Sequence, residues 1–220
     1  DDKIRTFDGF WSSSLTDSTE MGKPDIEALD ISKRLSNINN IFDVTTKPLI
    51  MDADTGGKVE HFELNVKSME RLGISAVIIE DKKGLKKNSL LGNDVFQMQE
   101  DIDVFCEKIV AAKNARISPD FMIISRIESL ILGSGLDDAL KRARAYVEAG
   151  TSGIMIHSRE KEPDEIFEFA KLFRSEYSSI PLVCVPTSYN KVKEIELEKN
   201  GFNIVIYANH LLRASYPAMR

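Results

Sequence analysis

Ala76-Val77-Ile78-Ile79-Glu80-Asp81-Lys82-Lys83-Gly84-Leu85-Lys86-Lys87-Asn88-Ser89 runs from consecutive apolar residues into two acids and then into a loop rich in lysine. A strand wetted on one face alternates apolar with polar residues, whereas a run apolar on successive residues suits a strand buried on both faces, as in a parallel sheet. Outward from it, similar runs recur at Phe10-Trp11, Leu49-Ile50-Met51, Met122-Ile123-Ile124, Ile154-Met155-Ile156, Leu182-Val183-Cys184-Val185 and Ile204-Val205-Ile206. Between them lie segments of helical period: Phe62, Val66 and Met69; Ile102, Phe105 and Ile109; Leu140, Ala143 and Val147; Ile166, Ala170 and Phe173. Gly73 and Gly150 follow two of these segments and Pro163 opens the last, as helix ends and starts require.

Strand and helix alternate without a linker or a shift in composition, so residues 1–220 read as one α/β domain. The residues ending each strand choose between an open sheet and a barrel. Trp11 and Ser13, Asp52 and Asp54, Glu80, Arg126 and Glu128, His157, Thr187, and Asn209 with His210 put polar groups after nearly every run. A barrel gathers all such ends at one mouth, while an open sheet gathers them at one switch point. The expectation is a (β/α)8 TIM-type barrel with seven of its strands visible. The chain starts on Asp1 with an apolar run close behind, which reads as a piece of a longer protein, and the eighth strand is expected in an N-terminal segment.

Composition narrows the function. The 220 residues are 42% apolar and 29% charged, enough for a large core and too apolar for disorder. No stretch approaches the roughly 18 apolar residues of a membrane span, and no secretory leader is recognisable. A soluble, cytoplasmic protein is expected. The net charge of −6 disfavours a general nucleic-acid surface, so any anion must be bound locally. Cys106 and Cys184 are too few and too separated for a disulfide framework or a zinc site, and both read as buried thiols.

Asp52-Ala53-Asp54 and Glu80-Asp81 end neighbouring runs, and a cluster of carboxylates without Cys or paired His favours Mg²⁺, or Mn²⁺, over Zn²⁺. Caps of loops and helices are the alternative reading of the same acids. The lysine-rich loop reads either as a solvated charge run or as a lid, with Gly84 as hinge, that folds over a phosphoryl group. Arg126 inside a strand end needs Glu128 or a substrate anion as its partner. His157 is either a structural histidine or a donor to developing oxyanion charge.

Glu80-Asp81-Lys82 with Asn88-Ser89, together with Trp11-Ser12-Ser13, Met51-Asp52-Ala53-Asp54-Thr55-Gly56, Arg126-Ile127-Glu128, Met155-Ile156-His157-Ser158 and Tyr207-Ala208-Asn209-His210, resembles the phosphoenolpyruvate mutases of the isocitrate lyase superfamily. The resemblance spans nearly the whole chain, and the EDK…NS loop is its specific marker. It implies a Mg²⁺-dependent isomerase that interconverts phosphoenolpyruvate and phosphonopyruvate, a carbon–phosphorus bond-forming step of phosphonate biosynthesis, working as a homo-oligomer, dimer or tetramer. Carried over, Ser13, Ser14 and Leu15 bind the substrate carboxylate and Trp11 walls the pocket. Asp52 holds the metal, with Asp54 and Glu80 acting directly or through its waters. Asp25 is the active-site aspartate, Lys86, Asn88 and Ser89 belong to the gating loop, and Arg126 and His157 hold the phosphoryl oxygens. Ser14 stands where the family usually has Gly, and Tyr207 where it usually has Trp. The family also has a strand and helix before Trp11 and a helical region beyond Arg220. Phosphonopyruvate hydrolase is the rival activity, separated chiefly at the position of Asn88. Carbon–carbon lyases of the superfamily carry a Cys in this loop, which is absent here, and a non-catalytic barrel is the reading from another class.

Overall fold

The computed structural model describes residues 6–84, 86–88 and 96–220. In chain order its strands are β1 (Phe10–Ser12), β2 (Leu49–Asp52), β3 (Ala76–Glu80), β4 (Lys82–Lys83), β5 (Met98–Gln99), β6 (Met122–Ile127), β7 (Gly153–Ile156), β8 (Leu182–Cys184) and β9 (Ile204–Val205). The seven apolar runs of the sequence become the strands of one sheet, ordered β1-β2-β3-β6-β7-β8-β9, with every pairing parallel. β4 and β5 form a separate antiparallel pair that the sequence did not announce.

Helices fill the crossovers, chief among them Val59–Leu72, Ile102–Ala115, Gly135–Ala149 and Asp164–Glu176. Gly73 and Gly150 end two of them in the left-handed conformation, at φ 97° and 98°, where a Cβ would be strained. Strand side chains alternate between the two faces. Val77 and Ile79 belong to a large core with Phe62, Phe105, Phe169 and Phe173 from the helices. Ala76, Ile78, Ile124, Met155, Val183, Val185 and Ile206 form a second, smaller core on the other face, against which Trp11, Ile50 and Ala208 pack. Two apolar faces explain why these strands show no polar alternation.

One expectation is met in its coarser form and one needs correction. Among the described residues β1 and β9 each pair on one side only, so the fold is an α/β fold with a seven-stranded parallel sheet and not, within those residues, a closed eight-stranded barrel. Closure requires a strand bonded to both edges, and the sequence supplied seven runs. Cys184 is buried in β8 as expected, but Cys106 is only partly covered, its Sγ 3.6 Å from the Ala145 carbonyl oxygen. No helix among the described residues is long and apolar enough to cross a membrane.

Candidate active site at the carboxyl ends of the strands

Strand parity builds the site. Ile50, Ile78, Ile124, Met155 and Val185 all pack on the smaller core. Two residues further along each chain, and therefore on the same face, stand Asp52, Glu80, Arg126, His157 and Thr187. These five line a cavity of about 60 Å³ together with Trp11, Ser13, Ser14, Leu15, Asp25, Lys86, Asn88, Met155, Val185, Ala208 and Asn209. The site is small and lined by more polar than apolar residues, with room for a few waters or a small polar molecule.

Lys86 crosses this cavity from the loop. Its Nζ donates to Ser14 Oγ at 2.8 Å, Asp25 Oδ1 at 2.8 Å and Asp54 Oδ1 at 2.5 Å, and the residue is 3% exposed. Asn88 Nδ2 donates to the other oxygen of Asp25 at 3.0 Å. The loop is therefore fastened to the pocket wall at two points, a geometry that a solvated charge run does not adopt. Ser14 uses its hydroxyl as a bridge: it accepts from Lys86 and donates to Asp52 Oδ2 at 3.0 Å. Asp54 does not line the cavity itself. It reaches the site through Lys86 and is backed by Arg34 Nη1 at 3.4 Å, while Arg34 Nε donates to Asp17 at 2.8 Å. Ser89 lies outside the described residues. His210, expected at the mouth, instead begins the helix His210–Met219 and meets Tyr207 edge to face at 5.1 Å.

Arg126 finds the partner its position demanded. Its Nε donates to Glu128 Oε1 at 2.5 Å and its Nη1 lies 3.4 Å from Glu80 Oε2, with Glu80 and Arg126 in register across β3 and β6. Lys82, first of the lysine run, is also buried, 3.1 Å from Glu128 Oε2 and 3.7 Å from Glu80 Oε1. Sequence reasoning took Lys82 for loop and missed this alternating quartet of charges. Burial pushes the Glu80 carboxyl up to about 7 against the pull of Arg126 and Lys82. Burial and then the Asp52 charge raise Asp54 to about 6. Burial works on Asp52 too, but Lys86, Arg34 and Arg126 more than offset it and hold that carboxyl below the ordinary range. Asp52 is thus the acid kept ionised.

The donor set bears on a cation. Among the described residues no three His, Cys, Asp or Glu side chains stand together as a ready set of direct ligands. Glu80, 1% exposed, nevertheless has neither carboxylate oxygen hydrogen-bonded among the described residues. A buried carboxylate that has cations nearby but accepts no hydrogen bond keeps lone pairs for a hydrated cation, and Mg²⁺ keeps several waters when it binds through one or two carboxylates. Asp52 and Glu80, which both line the cavity, are the carboxylates that fit a hydrated Mg²⁺, whereas Asp54, expected to join them, lies outside the lining with its two oxygens taken by Lys86 and Arg34.

Burial, with Arg126 adding to it, pushes the His157 imidazole down to about 3, so the ring is neutral. Its Nδ1 has no hydrogen-bond partner among the described residues. The unfolded ring takes a proton near pH 6.5 and the folded one does not, so stability is lost as pH falls from 6.5 towards 3, by about 1.4 kcal/mol per unit. Glu80 and Asp54 act in the opposite direction, because folded they hold protons that the unfolded chain releases. The difference between two proteins isolates the histidine. In urea unfolding between pH 6.5 and 4.5, His157→Asn is expected to lose less stability than the natural protein; parallel curves would mean that the folded ring is charged.

A family model, that of phosphoenolpyruvate phosphomutase, matches residues 3–220. The chain belongs to the phosphoenolpyruvate phosphomutase family. Within it, the chain is 39% identical over 215 residues to phosphoenolpyruvate phosphomutase of Tetrahymena pyriformis, covering 97% of this chain and 70% of that one. The crystal structure of phosphoenolpyruvate phosphomutase from Streptomyces platensis subsp. rosaceus superposes with a TM-score of 0.91 at 39% identity, over 97% of this chain and 73% of that one. A phosphonopyruvate hydrolase crystallised with oxalate and Mg²⁺ follows with a TM-score of 0.86 at 38% identity, over 97% and 72%. Membership of the phosphoenolpyruvate phosphomutase family thus agrees with the resemblance read from the sequence, and leaves the mutase and hydrolase reactions to be separated by the site.

Proposed function

We propose that this protein is a Mg²⁺-dependent phosphoenolpyruvate phosphomutase, an isomerase that interconverts phosphoenolpyruvate and phosphonopyruvate. The observation that carries the reading is the fastening of Lys86 and Asn88 to Asp25 inside the cavity that Arg126 and His157 line. Four donors then surround one small space closed by Trp11, Met155 and Val185.

The substrate carboxylate lies against the backbone N–H groups of Ser14 and Leu15 at the start of the helix Ser14–Glu20. Arg126 and the N–H of neutral His157 take the phosphoryl oxygens, with Lys86 and Asn88 completing the ring. The bond from phosphorus to the enol oxygen breaks, the phosphoryl group passes as a loose, metaphosphate-like species, and the methylene carbon of the pyruvate enolate captures it. Mg²⁺, which Asp52 would hold, would supply positive charge that offsets the negative charge of the enolate. No proton is gained or lost overall, so the protein's work is to position the fragments, to stabilise spread negative charge and to exclude water. Asn88, the residue at which the family's hydrolases differ, keeps the reaction intramolecular. The same proposal takes residues 1–220 as one domain on a (β/α)8 plan, for which the support is the all-parallel seven-stranded sheet with β1 and β9 as its edges. A soluble, cytoplasmic homo-oligomer belongs to the same proposal.

Phosphonopyruvate incubated with the protein and Mg²⁺ is expected to give the phosphorus NMR signal of phosphoenolpyruvate, and chelation of the metal is expected to stop it. Inorganic phosphate and pyruvate in its place would assign the hydrolase reaction, and an unchanged spectrum would refute both.

A further inference from the structure

Behind the pocket, and taking no part in lining it, the Asp81 carboxylate is fully buried. It lies at the root of the segment that carries Lys86 and Asn88. Its Oδ1 accepts from the Glu128 backbone N–H at 2.9 Å, and its Oδ2 accepts from Tyr146 Oη at 2.7 Å, Gln99 Nε2 at 2.9 Å and Arg142 Nη1 at 3.3 Å. Gln99 belongs to the returning strand β5, paired with Lys82 of β4, and the Glu100 N–H donates to the Asp81 carbonyl oxygen at 2.8 Å. Gln99 Nε2 also reaches Ser129 Oγ at 2.9 Å, and Arg142 Nη1 reaches the Glu100 carbonyl at 2.8 Å. Both feet of the segment are thereby moored to residues 128 and 129, just beyond β6, and to the helix Gly135–Ala149.

A β4–β5 pair with two residues per strand has little stability of its own. Lys82 of β4 holds the segment directly, its Nζ donating to the Lys87 carbonyl oxygen at 3.1 Å, and the mooring fixes where that strand itself stands. Displacing a catalytic donor by 1 Å costs about a hundredfold in rate. We propose that Asp81 and Gln99 are positioning residues for the reaction, holding the segment's two feet so that Lys86 and Asn88 meet Asp25 over the substrate. The proposal rests on the phosphomutase reading for its kinetic consequence and on the hydrogen bonds alone for its structural one.

Gln99→Met is the test, since it keeps the side chain's length, removes both Nε2 bonds and leaves Asp81 its bonds to Tyr146, Arg142 and Glu128. Trp11 is the only tryptophan and stands in the pocket wall, so quenching of its fluorescence by acrylamide reports access to the pocket without any turnover. The variant is expected to show about twofold stronger quenching and a kcat lower by about ten- to a hundredfold, with a smaller change in KM and a melting temperature close to the natural one. Asp81→Asn, which faces the Glu128 N–H with a second donor, is expected to give the same two signatures more strongly wherever it folds. Unchanged quenching and kcat in Gln99→Met, whatever its melting temperature, would overturn the proposal. Should the natural protein prove inactive on phosphonopyruvate, the phosphomutase reading fails, and the quenching contrast still decides the mooring.

Discussion

Lys86→Met is expected to lower kcat by about a thousandfold, the scale on which one preorganised donor to developing oxyanion charge matters. The size follows from position: the ammonium stands inside the cavity, between Ser14, Asp25 and Asp54. Burial alone would push its pKa down, but the carboxylates of Glu80, Asp52, Asp54 and Asp25 more than offset this and keep the charge in place. A solvated loop at a pocket mouth contributes little to stability, but Lys86 is held inside a buried ion-pair cluster and its removal reaches further. Removing Lys86 takes the counter-charge from Asp25 and Asp54, and breaking a buried ion pair costs about 3–5 kcal/mol when the survivor must stay charged. Asp54 escapes part of that cost, since it already titrates near 6 and takes up a proton readily. A loss of about 2 kcal/mol and a melting temperature lower by about 5 °C are therefore expected at pH 7. Asn88→Ala, which removes a neutral donor, is expected to lose turnover with a smaller thermal shift. Phosphorus NMR and calorimetry on the two variants check this, and a Lys86→Met protein keeping a tenth of the natural kcat would refute the assignment of Lys86.

The legible part of the molecule was the part in which both faces of an element are dry. Every consecutive apolar run became a strand of the sheet, because only residues apolar on both sides suit strands sandwiched between two cores. Site residues were legible for the related reason that a polar residue two places beyond an inward apolar one stays on the inward face, as with Ile78 and Glu80 or Met155 and His157. What escaped was cations lying within apolar helical stripes. Arg34 lies between Ile31 and Ile38, Lys108 beside Phe105 and Ile109, Arg142 between Ala139 and Tyr146, and all three are buried. Their partners are remote in sequence: Asp17 and Asp54 for Arg34, the Thr55 carbonyl at 2.6 Å for Lys108, and Asp81 for Arg142. Periodicity marks such a residue as out of place on its stripe, but not which acid or carbonyl the fold brings to it. Lys82 was hidden differently, since a run of lysines does not say which of them turns inward.

The quartet around Arg126 gives the largest combined effect. Arg126→Met is expected to remove at least a thousandfold in kcat/KM, because the guanidinium is the pocket's fixed cation and lies on strand β6 rather than on the loop. It also leaves Glu80 and Glu128 facing each other with Lys82 as their nearby cation. Lys82 keeps Glu128 satisfied at 3.1 Å, and Glu80, already raised to about 7, takes the proton, so the expected loss is nearer 3 than 5 kcal/mol, or about 10 °C in melting temperature. The pH dependence tests this argument. A carboxyl whose folded pKa is raised binds a proton that the unfolded chain lacks, so its contribution to stability is lost as pH rises through the folded value. Without Arg126 that value rises further, and the variant's deficit is expected to be larger at about pH 8 than at about pH 6. Adding Glu128→Gln is expected to recover about 1–2 kcal/mol in a double-mutant cycle by relieving the repulsion of Glu80. Arg126→Lys is expected to keep much of the stability and little of the activity, since an ammonium restores the charge without the planar fork that reaches Glu128 and Glu80 together. Equal deficits at the two pH values, with no recovery on adding Glu128→Gln, would mean that Arg126 holds the strand end by packing and not by charge.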